Sequence, residues 1–256
     1  MKIRLLSPVL AMLFAVSGYA YDFSRADSLF ESRENNLQAI SQARSLYQQA
    51  LKNASGKDDL IYAVDHLGKL AFYEGELLTP ESNSSKRVEI FLQCQEDVKS
   101  IHPDKVGKTG AYYYWNAACL GLWVKSASSF SALWRLSEVK AAFGALLENA
   151  TDYASGGGYR ILGGVGAKSQ ARVFGLYDPA KALEYINKAI ELGPQYYNVY
   201  IIKAEVLNVL GRSSEAKQLL LSTKQDLEAK AARGQLPQGL EAESKVFLKQ
   251  LQDLTK

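Results

Sequence analysis

The sequence predicts an all-α protein built as antiparallel helical pairs in a tetratricopeptide-like repeat array. Three observations carry this. Pro80, Pro103, Pro179, Pro194 and Pro237 all fall at breaks between periodic segments, where proline starts or ends a helix. Sustained alternating runs and Asn-Gly hairpin signals, which would mark strands, are missing from the 256 residues. Finally, Ala182 and Ala216 stand 34 residues apart in DPAKALEYINKAIELGPQYYNVYIIKAEVLNVLGRSSEAKQLL, which is the tetratricopeptide period.

The chain opens with MKIRLLSPVLAMLFAVSGYA. Lys2 and Arg4 precede an apolar run from about Val9 to Val16, and Gly18-Tyr19-Ala20 supplies small residues before a cleavage point. That order is the pattern of a secretory signal over 1–20, too short to span a bilayer. Cleavage is expected after Ala20, leaving an unlipidated periplasmic chain, 21–256, read as one helical domain. No later run is apolar enough to cross a membrane.

Helices are expected at roughly 24–54, 58–77, 84–101, 109–127, 131–152, 178–192, 195–211, 213–232 and 238–254. The clearest repeat covers 178–220. Its small alanines let two helices approach closely, while Ile186 and Leu220 fill the groove beside them. A weaker copy runs from Ala43 through Tyr47 and Ala50 to Leu67, Gly68, Ala71 and Gly75. A diverged third ends at Pro103.

Composition excludes several function classes. Removing Lys2 and Arg4 from the 30 cationic residues leaves 28 against 27 acidic ones, interspersed along the chain. That balance gives no footprint for nucleic acid. The two histidines and two cysteines show no ligand spacing, so no metal is expected. His66 and His102 read as structural or solvated. Cys94 and Cys119 read as small buried hydrophobes, with a disulfide as the alternative that export would allow. There is no Ser/His/Asp context, no H-E-x-x-H and no distinct carboxylate pair. A non-enzymatic protein without a cofactor is therefore expected.

Two stretches stand out. GAYYYWNAACLGLWVKSASSFSALWR holds all three tryptophans. It is apolar on every side, so it reads as a central core helix. The sharper alternative is a pocket or pore wall of Tyr114, Trp115, Asn116 and Trp123. The second stretch, ASGGGYRILGG, has five glycines in eleven residues. It is not a phosphate loop, because Leu162 and Ala167 occupy the glycine positions that a P-loop ending at Lys168-Ser169 requires. The dinucleotide pattern also fails, at Ile161. The stretch is expected to be an ordered, partly buried inter-helix connection packed on the Tyr/Trp helix, with Tyr159, Ile161 and Leu162 burying apolar area. Arg160 is expected to lock it by bonding helix C-terminal carbonyls or a carboxylate, or alternatively to face a cavity and hold a ligand's acid group.

AYYYWNAACLGLW, then GGGYRILGG, then LYDPAKALEYINKAIELGPQYYNVYIIKAEVLNVLGR, is similar in order and character to the TatT family. These are periplasmic helical proteins associated with tripartite ATP-independent periplasmic (TRAP) transporters. The likeness covers roughly 85–220. It implies cryptic tetratricopeptide-like units, a periplasmic solute-binding protein as partner, homotrimers as a candidate assembly, and a cavity for an apolar or organic-acid ligand. The site candidates are then Tyr114, Trp115, Asn116, Trp123, Tyr159 and Arg160. Members of that family are often lipoproteins, and this sequence departs from them in lacking a lipid-attachment cysteine after its apolar run.

Overall fold

The computed structural model describes residues 21–34, 36–101, 106 and 109–255; the signal segment with its cleavage point, His102 and Pro103 lie outside them. Among the described residues there are twelve α-helices and no strand. They are α1 (Ser24–Glu31), α2 (Leu37–Asn53), α3 (Lys57–Phe72), α4 (Ser84–Lys99), α5 (Gly110–Ser126), α6 (Ser129–Trp134), α7 (Leu136–Asn149), α8 (Tyr153–Gly166), α9 (Pro179–Leu192), α10 (Asn198–Val209), α11 (Ser213–Ala232) and α12 (Glu241–Leu254). Sequential helices pack in pairs, and α5 is central, touching α3, α4, α7 and α8.

Local chemistry sets the boundaries. Asn36 caps α2 by accepting from the Ala39 amide, and Asn83 caps α4 through the Lys86 amide. Asp178 caps α9 through the Lys181 amide, with Pro179 at the first helical position, where its missing N–H costs nothing. In the 34-residue repeat, Ala182 and Ala216 are both buried, each beside its large apolar partner, Ile186 or Leu220.

Three expected helices differ in detail. The segment 24–54 breaks at Ser32–Asn36, because Arg33 turns its guanidinium inward there and Asn36 starts a new helix. The segment 131–152 divides at Arg135 into α6 and α7. The end of 58–77 is a π-helix, Tyr73–Leu78, which swings Glu74 and Glu76 toward Arg44 and Arg87.

The last helix returns to the first. Arg33 donates from one nitrogen to both oxygens of Glu243, each at 3.0 Å, and Lys245 reaches Glu34 at 2.7 Å. The Arg33 guanidinium lies 4.2 Å from the Phe30 ring centre and 5.4 Å from that of Tyr73. Ala242 packs into the N-terminal apolar cluster, so the array is closed upon itself by packing as well as by charge.

The core around α5 is held by Phe91, Leu120, Leu146 and Trp115. Burying each such side chain contributes about 1.5–3 kcal/mol. Within it Cys94 of α4 and Cys119 of α5 form a disulfide, with Cα atoms 5.8 Å apart, in place of the two free buried thiols that the sequence reading favours. Proximity of the two helices is what the one-dimensional pattern does not contain. Closing a loop across 25 residues restricts the unfolded chain by about 3–4 kcal/mol. Unfolding by urea with and without reductant should therefore show a drop of that order on reduction. Thiol titration of the denatured, unreduced protein should find no free cysteine.

Candidate functional site

The glycine stretch is the main correction to the sequence reading. It is expected as a connection and is instead a helix, α8, entered through a left-handed turn. Ala154 (φ 51°, ψ 47°), Ser155 (φ 53°, ψ 59°) and Gly156 (φ 79°, ψ 21°) lie one after another in the left-handed region. Non-glycine residues there cost about 1–2 kcal/mol each. Glycine is a poor helix former, which is why composition argues against a helix here. The reason α8 forms is close packing. A Cβ on Gly158 would sit 2.5 Å from the Ala150 carbonyl oxygen and 2.6 Å from Thr151 Cα, both backbone atoms that cannot move aside.

Arg160 holds the turn. It donates from Nη1 to the Ser155 carbonyl at 2.9 Å and from Nη2 to the Ala154 carbonyl at 3.0 Å. Its guanidinium stacks 4.0 Å from the centre of the Tyr196 ring. The carbonyls it satisfies thus belong to the left-handed turn and not to a helix C-terminus. The side chain is buried, and hydrogen bonds to a charged group are worth about 1.5–3 kcal/mol.

Next to the turn lies a second polar centre, Asp65 of α3. Its Oδ1 accepts from Trp115 Nε1 at 3.0 Å and from the Tyr153 hydroxyl at 2.6 Å, while Oδ2 pairs with Lys69 at 2.5 Å. One carboxylate therefore ties α3 to α5 and to the entry of α8. Gly68, one turn along α3, leaves the space that the Trp115 ring fills. Burial works against the charge on Asp65, but Lys69 and the bonds from Tyr153 and Trp115 outweigh it and hold the carboxyl below its ordinary value. Burial, followed by the Asp65 charge, pushes the Tyr153 phenol up, so it stays a donor. Tyr114 completes the cluster, with its ring centre 5.2 Å from Tyr153 and 4.8 Å from Trp115.

Of the six residues singled out in the sequence, Tyr114, Trp115 and Arg160 meet at this node. Tyr159 turns away and faces Tyr185 of α9, ring centres 5.9 Å apart. Asn116 is half-buried, and its Oδ1 has no hydrogen-bond partner among the described residues. Trp123 lies two turns further along α5, in different surroundings. The four residues proposed as one wall are thus separated: Tyr114 and Trp115 lie in the closed node, Trp123 lines a separate pocket, and Asn116 belongs to neither.

That pocket opens where α4, α5 and α6 meet, with a volume of about 320 Å³. Ser84, Ser85 and Val88 line it from α4, Trp123 and Ser126 from α5, Ala127 and Ser128 from the turn into α6, and Ser131 from α6 itself. Arg135 covers the Trp123 ring at 4.6 Å, but its charge is engaged by Glu138 at 2.6 Å. Burial opposes the charge on Glu138, and Arg135 and Lys99 overcome this to bring its carboxyl down to about 2. Groups of three or more metal-ligating side chains do not occur among the described residues.

Asp65, Tyr153, Tyr196 and the pocket serines escaped the sequence reading. The signal for Asp65 was present, as the one acid inside the largely apolar LIYAVDHLGKLAF. The serines carried none, because scattered serines are ordinary at helix starts.

No family model matches the chain. A segment of 41 residues is 54% identical to an uncharacterized protein of Methanocaldococcus jannaschii, covering 16% of this chain and 48% of that protein. The chain thus spans about half the length of that relative.

Two predictions follow from the node. Ser155→Gly should raise stability by up to about 1 kcal/mol, since it relieves a left-handed residue at an exposed position. Gly158→Ala should lower it by about 1–3 kcal/mol, by overpacking against backbone. Denaturant midpoints of the two variants check both signs. The second concerns pH. A depressed carboxyl contributes stability that is present above its ordinary value of 3.8 and is lost as pH falls through the lower folded value. Asp65→Asn should be less stable than the parent at pH 7 by about 1.5–3 kcal/mol. The difference should shrink as pH falls below about 4, measured by urea unfolding across that range.

Proposed function

We propose that this chain is a non-enzymatic, tetratricopeptide-like binding protein of the cell envelope, exported through its N-terminal segment. In this reading it is a TatT-like accessory that pairs with a TRAP-type solute-binding protein and holds a small organic ligand, with a homotrimer as its candidate assembly. The observation that carries the reading is the pocket at Trp123, set in an otherwise closely packed helical array. A cavity of about 320 Å³ lies at the lower end of the range for small-molecule sites. The likeness of the Tyr/Trp helix, the glycine stretch and the following repeat to the TatT pattern supports the choice of partner. None of the helices among the described residues is long and apolar enough to cross a membrane.

A specific feature favours a second reading, a periplasmic scaffold for envelope assembly. Leu133 and Trp134 of α6, beside the pocket, are 48% and 78% exposed. Adjacent apolar side chains of that size are a common mark of protein contact. The two readings separate in one experiment. The chain is cross-linked in its own cell envelope, purified, and denatured to release any small molecule. A solute-binding protein together with a released small molecule supports the first reading. Envelope-assembly proteins without a small molecule, lost in a Leu133→Ser/Trp134→Ser variant, support the second. Recovery of the chain only from the cytoplasm, uncleaved, would sink both.

A further inference from the structure

We infer that the bond between Ala20 and Tyr21 is a processing site whose product the fold captures: the α-ammonium freed on Tyr21 pairs with the Asp59 carboxylate of α3 and fastens the N-terminal aromatic segment there. This rests on the reading above that the chain is exported through its N-terminal segment, and adds the group that receives the new terminus and the consequence of its capture.

Two independent observations meet at one atom. Gly18 and Ala20 are the small residues that mark the bond before Tyr21 in the sequence. In the fold, the Tyr21 nitrogen donates to Asp59 Oδ2 at 3.1 Å, across 38 residues of chain. The nitrogen that cleavage frees is thus the one already aimed at a carboxylate. A cut one residue later would remove Tyr21 and put the new amine on Asp22, which is exposed and whose carboxylate accepts from the Ser24 amide at 3.0 Å. Asp59 is half-buried, and no Lys or Arg pairs with it among the described residues. A Cβ on Gly56 would stand 3.0 Å from the same Asp59 oxygen, so the cap glycine of α3 leaves room for it beside the start of the helix.

The side chains secure the segment around that atom. Tyr21 and Phe23 are half-buried and pack on the N-terminal apolar cluster. Their ring centres are 5.0 Å apart, and Phe23 lies 4.7 Å from Tyr62, one turn beyond Asp59 on α3. Hydrolysis of the Ala20–Tyr21 bond consumes one water. Its oxygen joins the Ala20 carbonyl carbon to give a carboxylate, the C–N bond breaks, and both hydrogens go to the Tyr21 nitrogen, which becomes an ammonium. An α-amine is mostly protonated at neutral pH, and a facing carboxylate favours that form. One amide donor is thereby replaced by a cation with three donors, against an acid that has no other cation. Cleavage adds an ion pair that holds its own product, and a terminus held in this way is poorly presented to aminopeptidases.

N-terminal sequencing of the envelope-purified protein should begin at Tyr21. That mature chain is then compared with the same chain acetylated on its α-amine, which restores a neutral amide N–H. Both forms are also made as Asp59→Asn, which keeps an acceptor oxygen and removes the charge. Acetylation should raise the unfolding equilibrium constant of the parent by about fivefold, the size of a modest ion pair, and leave that of Asp59→Asn unchanged. Asp58→Asn, at an exposed acid of the same turn, should respond to acetylation as the parent does. Release of Tyr21 by an aminopeptidase should be about fivefold faster from Asp59→Asn than from Asp58→Asn, because cleavage follows the population of the opened form. Equal stability of the free and acetylated parent, an acetylation effect that persists in Asp59→Asn or disappears in Asp58→Asn, equal rates of Tyr21 release, or an envelope protein that begins at another residue would each overturn the inference and leave the export reading standing. Recovery of the chain only from the cytoplasm with its first twenty residues in place would overturn both.

Discussion

The array depends on one costly piece of backbone, the left-handed turn at Ala154–Gly156. It is where the chain leaves α7 and enters α8, and α8 is the element that joins the Tyr/Trp helix to the C-terminal repeat. Two non-glycine residues held there cost about 1–2 kcal/mol each. The two bonds from buried Arg160, at about 1.5–3 kcal/mol each, are of the size needed to offset that. The turn persists because a guanidinium with a fixed fork of donors can hold two successive carbonyls at once. Lysine, with a single compact head, has no equivalent geometry. The Tyr196 ring fixes the plane of that fork from the C-terminal repeat, so the turn is held from both sides of the junction.

Asp65 and Arg33 apply the same logic elsewhere. Each is a charged group placed where two or three helices meet, and each has opposite charge and donors or acceptors that match it. Asp65 joins α3, α5 and the start of α8. Arg33 joins the first turns of the chain to its last helix. Apolar packing alone is non-directional and would tolerate sliding between helices with similar surfaces. The Asp65 oxygen shared by an indole and a phenol fixes the register of α5 against α3. The Gly68 gap, which the Trp115 ring fills, makes that register a steric requirement as well.

Much of the helical order was legible in the sequence because prolines, caps and apolar periodicity are local. Pro179 behind Asp178, and the paired alanines at 182 and 216, specify their helices from a few neighbouring residues. α8 was not legible, because five glycines predict a break on propensity, and what stabilises them as helix is contact with α5 and α9 that no local window contains. The break at Arg33 was hidden for a similar reason: its partner Glu243 is 210 residues away. At the candidate site, the Tyr/Trp helix was visible as an apolar cylinder. Its division into a closed end and an open end was not, since both ends carry the same residue types.

That division separates two kinds of surroundings along α5. At the Tyr114–Trp115 end, Trp115 Nε1, the Tyr153 hydroxyl, both Asp65 oxygens and the Arg160 guanidinium already have partners. A ligand entering there would have to replace charge-assisted hydrogen bonds and release the left-handed turn from its clamp, so any affinity would be spent on unfolding the junction. At the Trp123 end the reverse holds. The indole donor is unpaired, the first amides of α4 lack helical acceptors, and the surrounding helices are fixed by the Cys94–Cys119 bond and the Arg135–Glu138 pair. On the proposed reading, a ligand there would meet a frame that is already held in place, the condition under which a small molecule binds without a large ordering cost. The charged network that closes one end of α5 therefore does not include the residues that line the pocket at its other end.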